Sequence, residues 1–276
     1  MATRPATSAH RPPVNRDVPL VRREPLEGAY VLLTFRHPEV AERARAGQFV
    51  MIKAGTVTDP ILRRPFSIMS VDPREGVFTL FLKAVGPGSR ALAELRPGEE
   101  SGCLGPLGQP FTAPPEDHEA LCVAGGYGIA PFVLFSDELR RARRRARVFY
   151  GGRAVAELQL RAPFAALEPP LACATDDGSF GHHGVVTGAV AAYLDTRPGP
   201  VTLYACGPDA MLHAVARLAE ERRLPAQVSL DPWMGCGLGT CLGCVVWIRR
   251  ENETRAKYRC ACTEGPVFDA REVVWA

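Results

Sequence analysis

Apolar residues in the first half of the chain occur in short runs that glycines and prolines interrupt. Residues 50–52 and 77–82 are two such runs, and the second is rich in aromatic and β-branched side chains. Short runs of this kind between turn residues predict β-strands. Their density over residues 18–112 predicts a small all-β barrel.

The pattern changes after residues 113–118, where prolines and charged residues predict a linker. Compact apolar strands and helical patterns then follow one another, at residues 120–124, 130–146, 148–150, 171–174, 201–205 and 209–223. Strands that alternate with helices predict a parallel α/β sheet. The fold class expected is therefore an all-β barrel followed by an α/β parallel-sheet domain, with a small C-terminal segment.

Composition narrows the classes of function. The 276 residues carry a formal net charge of only +3, which does not favour nucleic acid as a partner. No apolar run approaches the roughly 20 residues that a membrane helix needs. Residues 2–24 are rich in Pro, Arg, Thr and Ser, and residues 1–17 are predicted to form a disordered tail. The tail has no apolar core of a secretory signal, so we expect a cytoplasmic protein without membrane contact.

Cysteines near the C-terminus give the strongest chemical signal. Cys236, Cys241 and Cys244 have the spacing C-x4-C-x2-C, typical of plant-type [2Fe–2S] ferredoxins, which take a fourth cysteine from farther along. Cys260 and Cys262 are both candidates for that ligand. Interspersed glycines let the backbone approach the cluster closely. Zinc sites usually contain two C-x2-C pairs or Cys/His mixtures, and the odd count of nine cysteines disfavours a disulfide framework, so both alternatives are weaker.

Two motifs in the predicted barrel suit a flavin. Arg64, Pro65, Phe66 and Ser67 could supply a cation for a phosphate, a strand edge for the ring system and a hydroxyl near its reactive nitrogen, which makes Ser67 a catalytic candidate. The glycine-rich turn 86–90 precedes a short helical stretch at 91–95, where free N–H groups suit a pyrophosphate. An ordinary strand is the alternative interpretation of the first motif taken alone.

Three further motifs follow strands of the predicted α/β sheet. Gly125, Gly126 and Gly128 join a strand to a helix, as in dinucleotide-binding turns. Asp177 lies in a turn that could recognise a ribose or adenine, although a plain surface turn is an equal alternative. Cys206 ends a strand where it could face a nicotinamide, which makes it a second catalytic candidate, with a buried structural cysteine as the alternative.

Taken in order, these motifs resemble one family. From about Pro19 to its end, the chain is similar to the electron-transfer subunits of dihydroorotate dehydrogenase B, within the ferredoxin–NADP reductase superfamily. The segments that carry the resemblance are residues 64–67, 86–89, 125–131, 176–179, 206–208, 236–244 and 265–268. The resemblance implies an FAD-binding barrel at 18–113, an NAD-binding domain at 119–228 and a [2Fe–2S] segment at 229–276.

The resemblance also implies individual ligands. FAD would contact Arg64, Pro65, Phe66, Ser67, Phe81, Leu82, Lys83, Gly88 and Ser89. The fourth cluster ligand would be Cys262, which stands three residues before the Gly-Pro-Val-Phe stretch.

The function implied is that of a redox relay. A partner subunit containing FMN would oxidise dihydroorotate in pyrimidine biosynthesis, and the electrons would pass through the [2Fe–2S] cluster and FAD to NAD+. The assembly expected is a heterotetramer of two copies of each subunit. Subunits of sulfide dehydrogenases and NADH-dependent ferredoxin–NADP reductases share this build and remain an alternative. A zinc-stabilised nucleotide-binding protein without a redox role is an alternative of another class.

Overall fold

The barrel comes first in the computed structural model, which describes residues 12–54, 61–167, 169–196 and 199–275. Its elements are β1 (Val14–Pro25), β2 (Tyr30–Arg36), α1 (Pro38–Arg43), β3 (Phe49–Ala54), β4 (Arg64–Asp72), β5 (Val77–Lys83), α2 (Pro87–Ala93) and β6 (Glu100–Leu107). The six strands close in the order β1-β2-β5-β4-β3-β6 with antiparallel neighbours. The predicted barrel is thereby confirmed.

The α/β domain follows the linker. Its elements are β7 (Glu119–Gly125), a 3-10 turn (Gly126–Ile129), α3 (Ala130–Arg141), β8 (Ala146–Gly152), a 3-10 turn (Val155–Glu157), α4 (Ala162–Leu167), β9 (Leu171–Thr175), β10 (His182–His183), α5 (Val186–Thr196), β11 (Val201–Cys206), α6 (Asp209–Glu221) and β12 (Ala226–Ser229). Strands β7 to β12 pair in parallel, as the alternation of strands and helices predicts.

The C-terminal segment contains β13 (Val245–Ile248), β14 (Lys257–Cys260) and β15 (Val267–Asp269). Strands β13 and β14 form a hairpin beside the cysteines. Strand β15 returns to the α/β domain and pairs antiparallel with β12, which gives the seven-stranded order β10-β9-β8-β7-β11-β12-β15. Both ends of the cysteine-containing segment are therefore attached to one sheet.

Three expectations need correction. The short helix expected at 91–95 instead spans Pro87–Ala93, because Pro87 is suited to the first helical position, and α2 therefore includes most of the predicted turn. The predicted disordered tail is wrong for residues 14–17, because they begin β1; Val14, Val18 and Leu20 are buried while the polar residues between them face solvent. Residues 1–11 of that tail lie outside the described residues. The helix predicted over 130–146 ends at Arg141, because Arg143 has a left-handed φ of 55° and the chain turns there into β8.

One apolar core continues from the barrel into the α/β domain. Phe111 at the end of the barrel stacks on Phe132 of α3, with ring centroids 5.5 Å apart, and meets Tyr204 of β11 edge-on at 5.7 Å. Buried aromatic contacts of this kind hold the two domains in a fixed arrangement. None of the helices in the described ranges is both long and apolar enough to cross a membrane.

Candidate functional site

The two predicted flavin motifs meet at the rim of the barrel. Arg64 opens β4, and its side chain lies against Gly88 in α2, where a Cβ would stand 3.2 Å from Arg64 Cγ and Nε. Arg64 Nη1 donates to the carbonyls of Leu62 at 2.8 Å and Arg63 at 3.3 Å. A side chain at position 88 would make a tight contact that Arg64 could relieve only by a small shift. This cradle fits a phosphate, because a fixed cation lies next to helix N–H groups.

The next residues of β4 form a half-exposed strand beside this cradle. Pro65, Phe66 and Ser67 pair with Met51, Val50 and Phe49 of β3. All three are only partly buried, whereas Ile68 and Met69 immediately after them are buried. A strand whose first residues are partly exposed and whose later residues are buried suits a planar ligand that lies against the exposed part. The direct roles of Pro65, Phe66 and Ser67 stay predictions.

The other residues implied to bind FAD are engaged within the protein. Ser89 Oγ accepts from the N–H groups of Val85 and Gly86, both at 3.0 Å, and donates to the Gly86 carbonyl. Phe81 and Leu82 are buried, and Phe81 stacks on Tyr30 at 5.3 Å. These side chains shape the barrel rim, and any contact they make with FAD would come from their backbone.

The glycine turn and Cys206 meet at the centre of the α/β sheet. Strands β7 and β11 are neighbours, while the chain proceeds from β7 to β8 on one side and from β11 to β12 on the other. The carboxyl ends of β7 and β11 are therefore the topological switch point, where such sheets bind ligands. A Cβ on Gly128 would collide with the Cys206 carbonyl, and Gly207 packs against Gly125. The structure thus brings the glycine turn and the Cys206 loop together at one crevice, and their binding of a dinucleotide stays a prediction.

The Cys206 thiol is buried in this crevice. Burial raises its pKa to about 12, the carboxylate of Asp231 acts in the same direction, and a hydrogen bond with Ser229 opposes them. A thiol with this pKa is neutral at physiological pH. Cys206 can therefore contribute volume and a weak donor beside a nicotinamide, and its catalytic role stays a prediction.

Asp177 lies at the carboxyl end of β9. Its Oδ1 accepts from the Ser179 N–H at 2.9 Å, and hydrogen bonding with Ser179 is the main cause that lowers the pKa of this carboxyl. Its carboxylate is exposed, so it could also accept from a ribose hydroxyl. Direct contact with a dinucleotide stays a prediction.

Tyr127 and Glu157 lie near the crevice and the barrel rim but were not among the predicted site residues. Tyr127 lies inside the glycine turn with 54% of its surface exposed. Its pKa is raised by burial and by the charge of Asp231. A large aromatic residue between two glycines is unusual, and this feature of the sequence could have marked Tyr127 as a candidate site residue. Glu157 gave no such signal, because its partner Lys83 is 74 positions away in the chain.

The cysteine loop directs backbone N–H groups at its sulfurs. Cys236 Sγ accepts from the Leu238 N–H at 3.3 Å, and Cys262 Sγ accepts from the Gly239 N–H at 3.2 Å. Burial acts to raise the pKa of Cys236, but the N–H groups of Leu238 and Cys241 outweigh it and bring that pKa to about 6. Such donors stabilise thiolates and the sulfides of an iron–sulfur cluster.

The candidate fourth ligands differ in their surroundings. Cys262 is 1% exposed, beside the buried Cys244, and receives an N–H. Cys260 instead points its thiol toward the Gly239 carbonyl at 3.9 Å, and a carbonyl repels a thiolate. The hydrogen-bond geometry therefore favours Cys262, as the resemblance implies, while burial and the neighbouring Cys244 raise the pKa of its metal-free thiol to about 12. This assignment stays a prediction.

The donor set suits an iron–sulfur cluster. Cys236, Cys241, Cys244 and Cys262 are all free thiols in this segment, and a [2Fe–2S] cluster divides four thiolates between two irons. The backbone N–H groups that point at Cys236 Sγ and Cys262 Sγ would stabilise the negative charge of such a cluster.

The cysteine loop lies directly on the barrel. A Cβ on Gly237 would stand 2.6 Å from Met51 Cγ and 3.0 Å from Leu107 Cδ1. Met51 of β3 pairs with Pro65 in the flavin motif of β4. One strand, β3, thus separates the cysteine loop from the predicted flavin strand.

Three families match consecutive parts of the chain. Residues 17–111 match the oxidoreductase FAD-binding domain, residues 122–217 match the oxidoreductase NAD-binding domain, and residues 231–274 match the iron-sulfur cluster binding domain of dihydroorotate dehydrogenase B. The chain is thus an oxidoreductase with FAD-, NAD- and iron–sulfur-binding domains.

Whole-chain relatives agree with this assignment. The electron transfer subunit of dihydroorotate dehydrogenase B (NAD(+)) from Desulforamulus reducens is 37% identical over 88% of this chain and 92% of that protein. The subunit of the same name from Geobacillus kaustophilus is 37% identical over 88% of this chain and 91% of that protein.

Solved structures show the same fold. The NADH-dependent reduced ferredoxin-NADP oxidoreductase structure has a TM-score of 0.82 and 29% identity, over 94% of this chain and 90% of that chain. A ferredoxin NADP+ reductase from Neisseria gonorrhoeae has a TM-score of 0.64 and 18% identity, over 75% of this chain and 91% of that chain. The second likeness concerns the fold alone.

Proposed function

Because the chain belongs to the family of electron-transfer subunits of dihydroorotate dehydrogenase B, we propose that it connects the flavin of a catalytic subunit to NAD+. Bound FAD and a [2Fe–2S] cluster would supply the exchange between single electrons and a hydride. The chain's own residues hold these groups in place. Arg64 and the start of α2 would bind the FAD phosphates, and Cys236, Cys241, Cys244 and Cys262 would bind the cluster.

The contact between Gly237 and Met51 carries this proposal. It places the cysteine loop on the strand that pairs with the flavin motif, so that no further protein layer separates the two sites. The third site is the dinucleotide crevice between β7 and β11, which would receive the electrons from the flavin. The relatives are named for NAD(+), and we propose the same nucleotide for this chain.

The proposed partner is an FMN-containing dihydroorotate dehydrogenase catalytic subunit, in a heterotetramer of two copies of each. The surface proposed to bind this partner lies beside the cysteines, and the exposure of Trp233, Leu238 and Leu242, at 93%, 51% and 62%, supports that position. A cavity of ≈ 410 Å³ between the barrel and this loop reaches Cys236. Leu238 lines this cavity together with the exposed Ile61 and Leu62. Exposed apolar side chains grouped in one region are typical of interaction sites.

Mixing the two subunits tests the proposal. The chain alone should oxidise NADH with ferricyanide as acceptor, and it should not oxidise dihydroorotate. Addition of the catalytic subunit should give dihydroorotate-dependent reduction of NAD+ and a complex of two copies of each by light scattering. Leu238→Glu should abolish the coupled reaction and leave NADH–ferricyanide activity intact. Val21→Glu alters an exposed apolar residue on β1 and serves as the matched control.

A second candidate function rests on the similarity to the NADH-dependent ferredoxin-NADP oxidoreductase structure. In that case the electron donor would be a reduced ferredoxin. The same assay distinguishes the two, because reduced ferredoxin would then replace the catalytic subunit. Coupling to ferredoxin with no coupling to a dihydroorotate dehydrogenase subunit would reject the pyrimidine assignment.

A further inference from the structure

The carboxylate of Glu157 joins the barrel to the α/β domain. Its Oε1 lies 3.3 Å from Lys83 Nζ at the end of β5, and its Oε2 accepts from the Arg153 N–H at 3.1 Å. Glu157 lies in the short loop after β8, whereas Lys83 belongs to the barrel. The two oxygens of one side chain therefore hold elements of two domains.

Further contacts hold Lys83 and the backbone of Glu157 in place. Lys83 Nζ lies 4.9 Å from the centre of the Tyr30 ring. The Tyr150 hydroxyl donates to the Glu157 carbonyl at 3.0 Å. Hydrogen bonding with Tyr30 raises the pKa of Lys83, and the Arg153 N–H lowers the pKa of Glu157, so both groups stay charged at neutral pH.

The loop that Glu157 holds is attached in turn to the loop after β9. The Asp177 N–H donates to the Arg153 carbonyl at 3.1 Å, and the Val155 N–H donates to Ser179 Oγ at 2.9 Å. The Asp176 N–H donates to the Gly152 carbonyl at 3.1 Å. The two loops thus form one unit, which we call the outer loops (residues 152–157 and 175–180).

The outer loops lie at the carboxyl ends of β8 and β9, on one side of the crevice between β7 and β11. A dinucleotide whose nicotinamide occupies that crevice would extend its adenosine half along the carboxyl edge of the sheet. The outer loops expose Asp177 toward solvent there. Their distance from the barrel then determines whether both halves of the dinucleotide can bind at once.

We propose that Glu157 is a positioning residue for the adenosine half of NAD(H): it fixes the outer loops relative to the flavin barrel and so sets the affinity for the dinucleotide. This inference rests on the proposed function. Glu157 acts through the loops and not on the reacting carbon, so its loss changes dinucleotide binding and leaves hydride transfer unchanged once the substrate is bound.

Binding of ADP-ribose, which lacks the nicotinamide, tests the proposal without turnover. In calorimetric titrations of the flavin-loaded full chain, Glu157→Ala should raise the Kd for ADP-ribose about fivefold, the size typical of coupling through a packed network. The KM for NADH should rise by the same factor with kcat unchanged. With reduced nicotinamide mononucleotide, which has no adenosine half, kcat/KM should not change.

Two single variants and one double variant distinguish the ion pair of Glu157 with Lys83 from its hydrogen bond with the Arg153 N–H. Glu157→Gln keeps an acceptor for the Arg153 N–H and should restore part of the affinity. Lys83→Met removes the ion pair, and since Lys83 is also implied to contact FAD, its flavin content is matched to that of the wild type before titration. The double variant Lys83→Met with Glu157→Ala should then bind ADP-ribose no more weakly than Glu157→Ala alone, because the two changes break the same contact.

Glu138 offers the matched control. It also joins the two domains, since its Oε1 accepts from the Ala46 N–H at 3.0 Å and from Arg45 Nε at 3.2 Å, but it lies on α3 away from the outer loops. Glu138→Ala should leave the Kd for ADP-ribose unchanged. The proposal is overturned if Glu157→Ala lowers kcat/KM equally for NADH and for the mononucleotide, or if it changes neither. Failure of the wild-type chain to bind ADP-ribose or oxidise NADH would instead reject the proposed function.

Discussion

Arg64 packs directly against Gly88: a Cβ at position 88 would stand 3.2 Å from Arg64 Cγ and Nε, so the Arg64 side chain would have to shift slightly. The contact joins the start of β4 to the start of α2, and it turns two separate sequence motifs into one phosphate cradle. The backbone carbonyls of Leu62 and Arg63 hold the guanidinium from the other side.

The first prediction concerns this cradle. Arg64→Ala should weaken FAD binding about tenfold or more, because a charge-assisted contact contributes about 1.5–3 kcal/mol. Flavin retained after dialysis, measured by absorbance, reports the effect. Arg63→Ala is the control, because Arg63 contacts the Gly102 carbonyl and Asn15 instead. Equal flavin retention in both variants would contradict the assignment.

The second prediction concerns the contact between the cysteine loop and the barrel. Gly237 has φ 75° and touches Met51, whereas Gly28 has φ 70° and no neighbour within 4 Å. Both Gly→Ala changes impose similar left-handed strain of about 1–2 kcal/mol, but only Gly237→Ala adds a collision. We expect Gly237→Ala to lose iron and sulfide while FAD remains bound, and Gly28→Ala to keep both. Full iron content in Gly237→Ala would show that cluster binding does not depend on the close contact between Gly237 and Met51.

The third prediction separates the candidate ligands. Cys262→Ser should remove the visible absorbance of the iron–sulfur cluster, because a buried thiolate that receives the Gly239 N–H is lost. Cys260→Ser should retain that absorbance. The reverse result, measured together with iron content, would identify Cys260 as the ligand.

The fourth prediction concerns the dinucleotide crevice. Gly128→Ala should destabilise the protein by about 1–3 kcal/mol, the usual range for overpacking, because its Cβ meets the Cys206 carbonyl. Gly126 has φ 54° and open space around it, so Gly126→Ala carries backbone strain alone. Thermal unfolding should show the lower Tm for Gly128→Ala, together with weaker binding of NAD+. A Tm for Gly126→Ala at or below that of Gly128→Ala would refute the packing argument.

The fifth prediction concerns pH. The folded pKa of Cys206 is about 12 and its ordinary value is 9.0. Below pH 9 the thiol is neutral in both the folded and unfolded states, and above pH 9 the unfolded state gains stability by ionising first. The Cys206 contribution to stability is therefore complete below pH 9 and is lost between pH 9 and about 12. Mass spectrometry should find Cys206 unmodified by iodoacetamide at pH 8, and rapid alkylation there would disprove the assignment.

Much of this arrangement could be predicted from sequence because its signals are local. Apolar runs between turn residues identify the barrel, and the glycine turn at 125–128 identifies the crevice. Strand β1 was partly missed because Arg and Asp residues occupy its solvent face and mask the buried Val14 and Val18. The bridge between Lys83 and Glu157 gave no local signal at all, since it depends on how two domains pack.

The return of β15 to the sheet bears on the order in which the protein is made. Strand β15 follows every cysteine of the cluster loop in sequence, yet it is the neighbour of β12. During synthesis, β12 therefore remains an open edge until the whole cysteine loop has left the ribosome, and open edges are prone to pair with other chains. Closure of that edge also brings the two ends of the cysteine loop together, so the loop is held at both ends only once the sheet is complete.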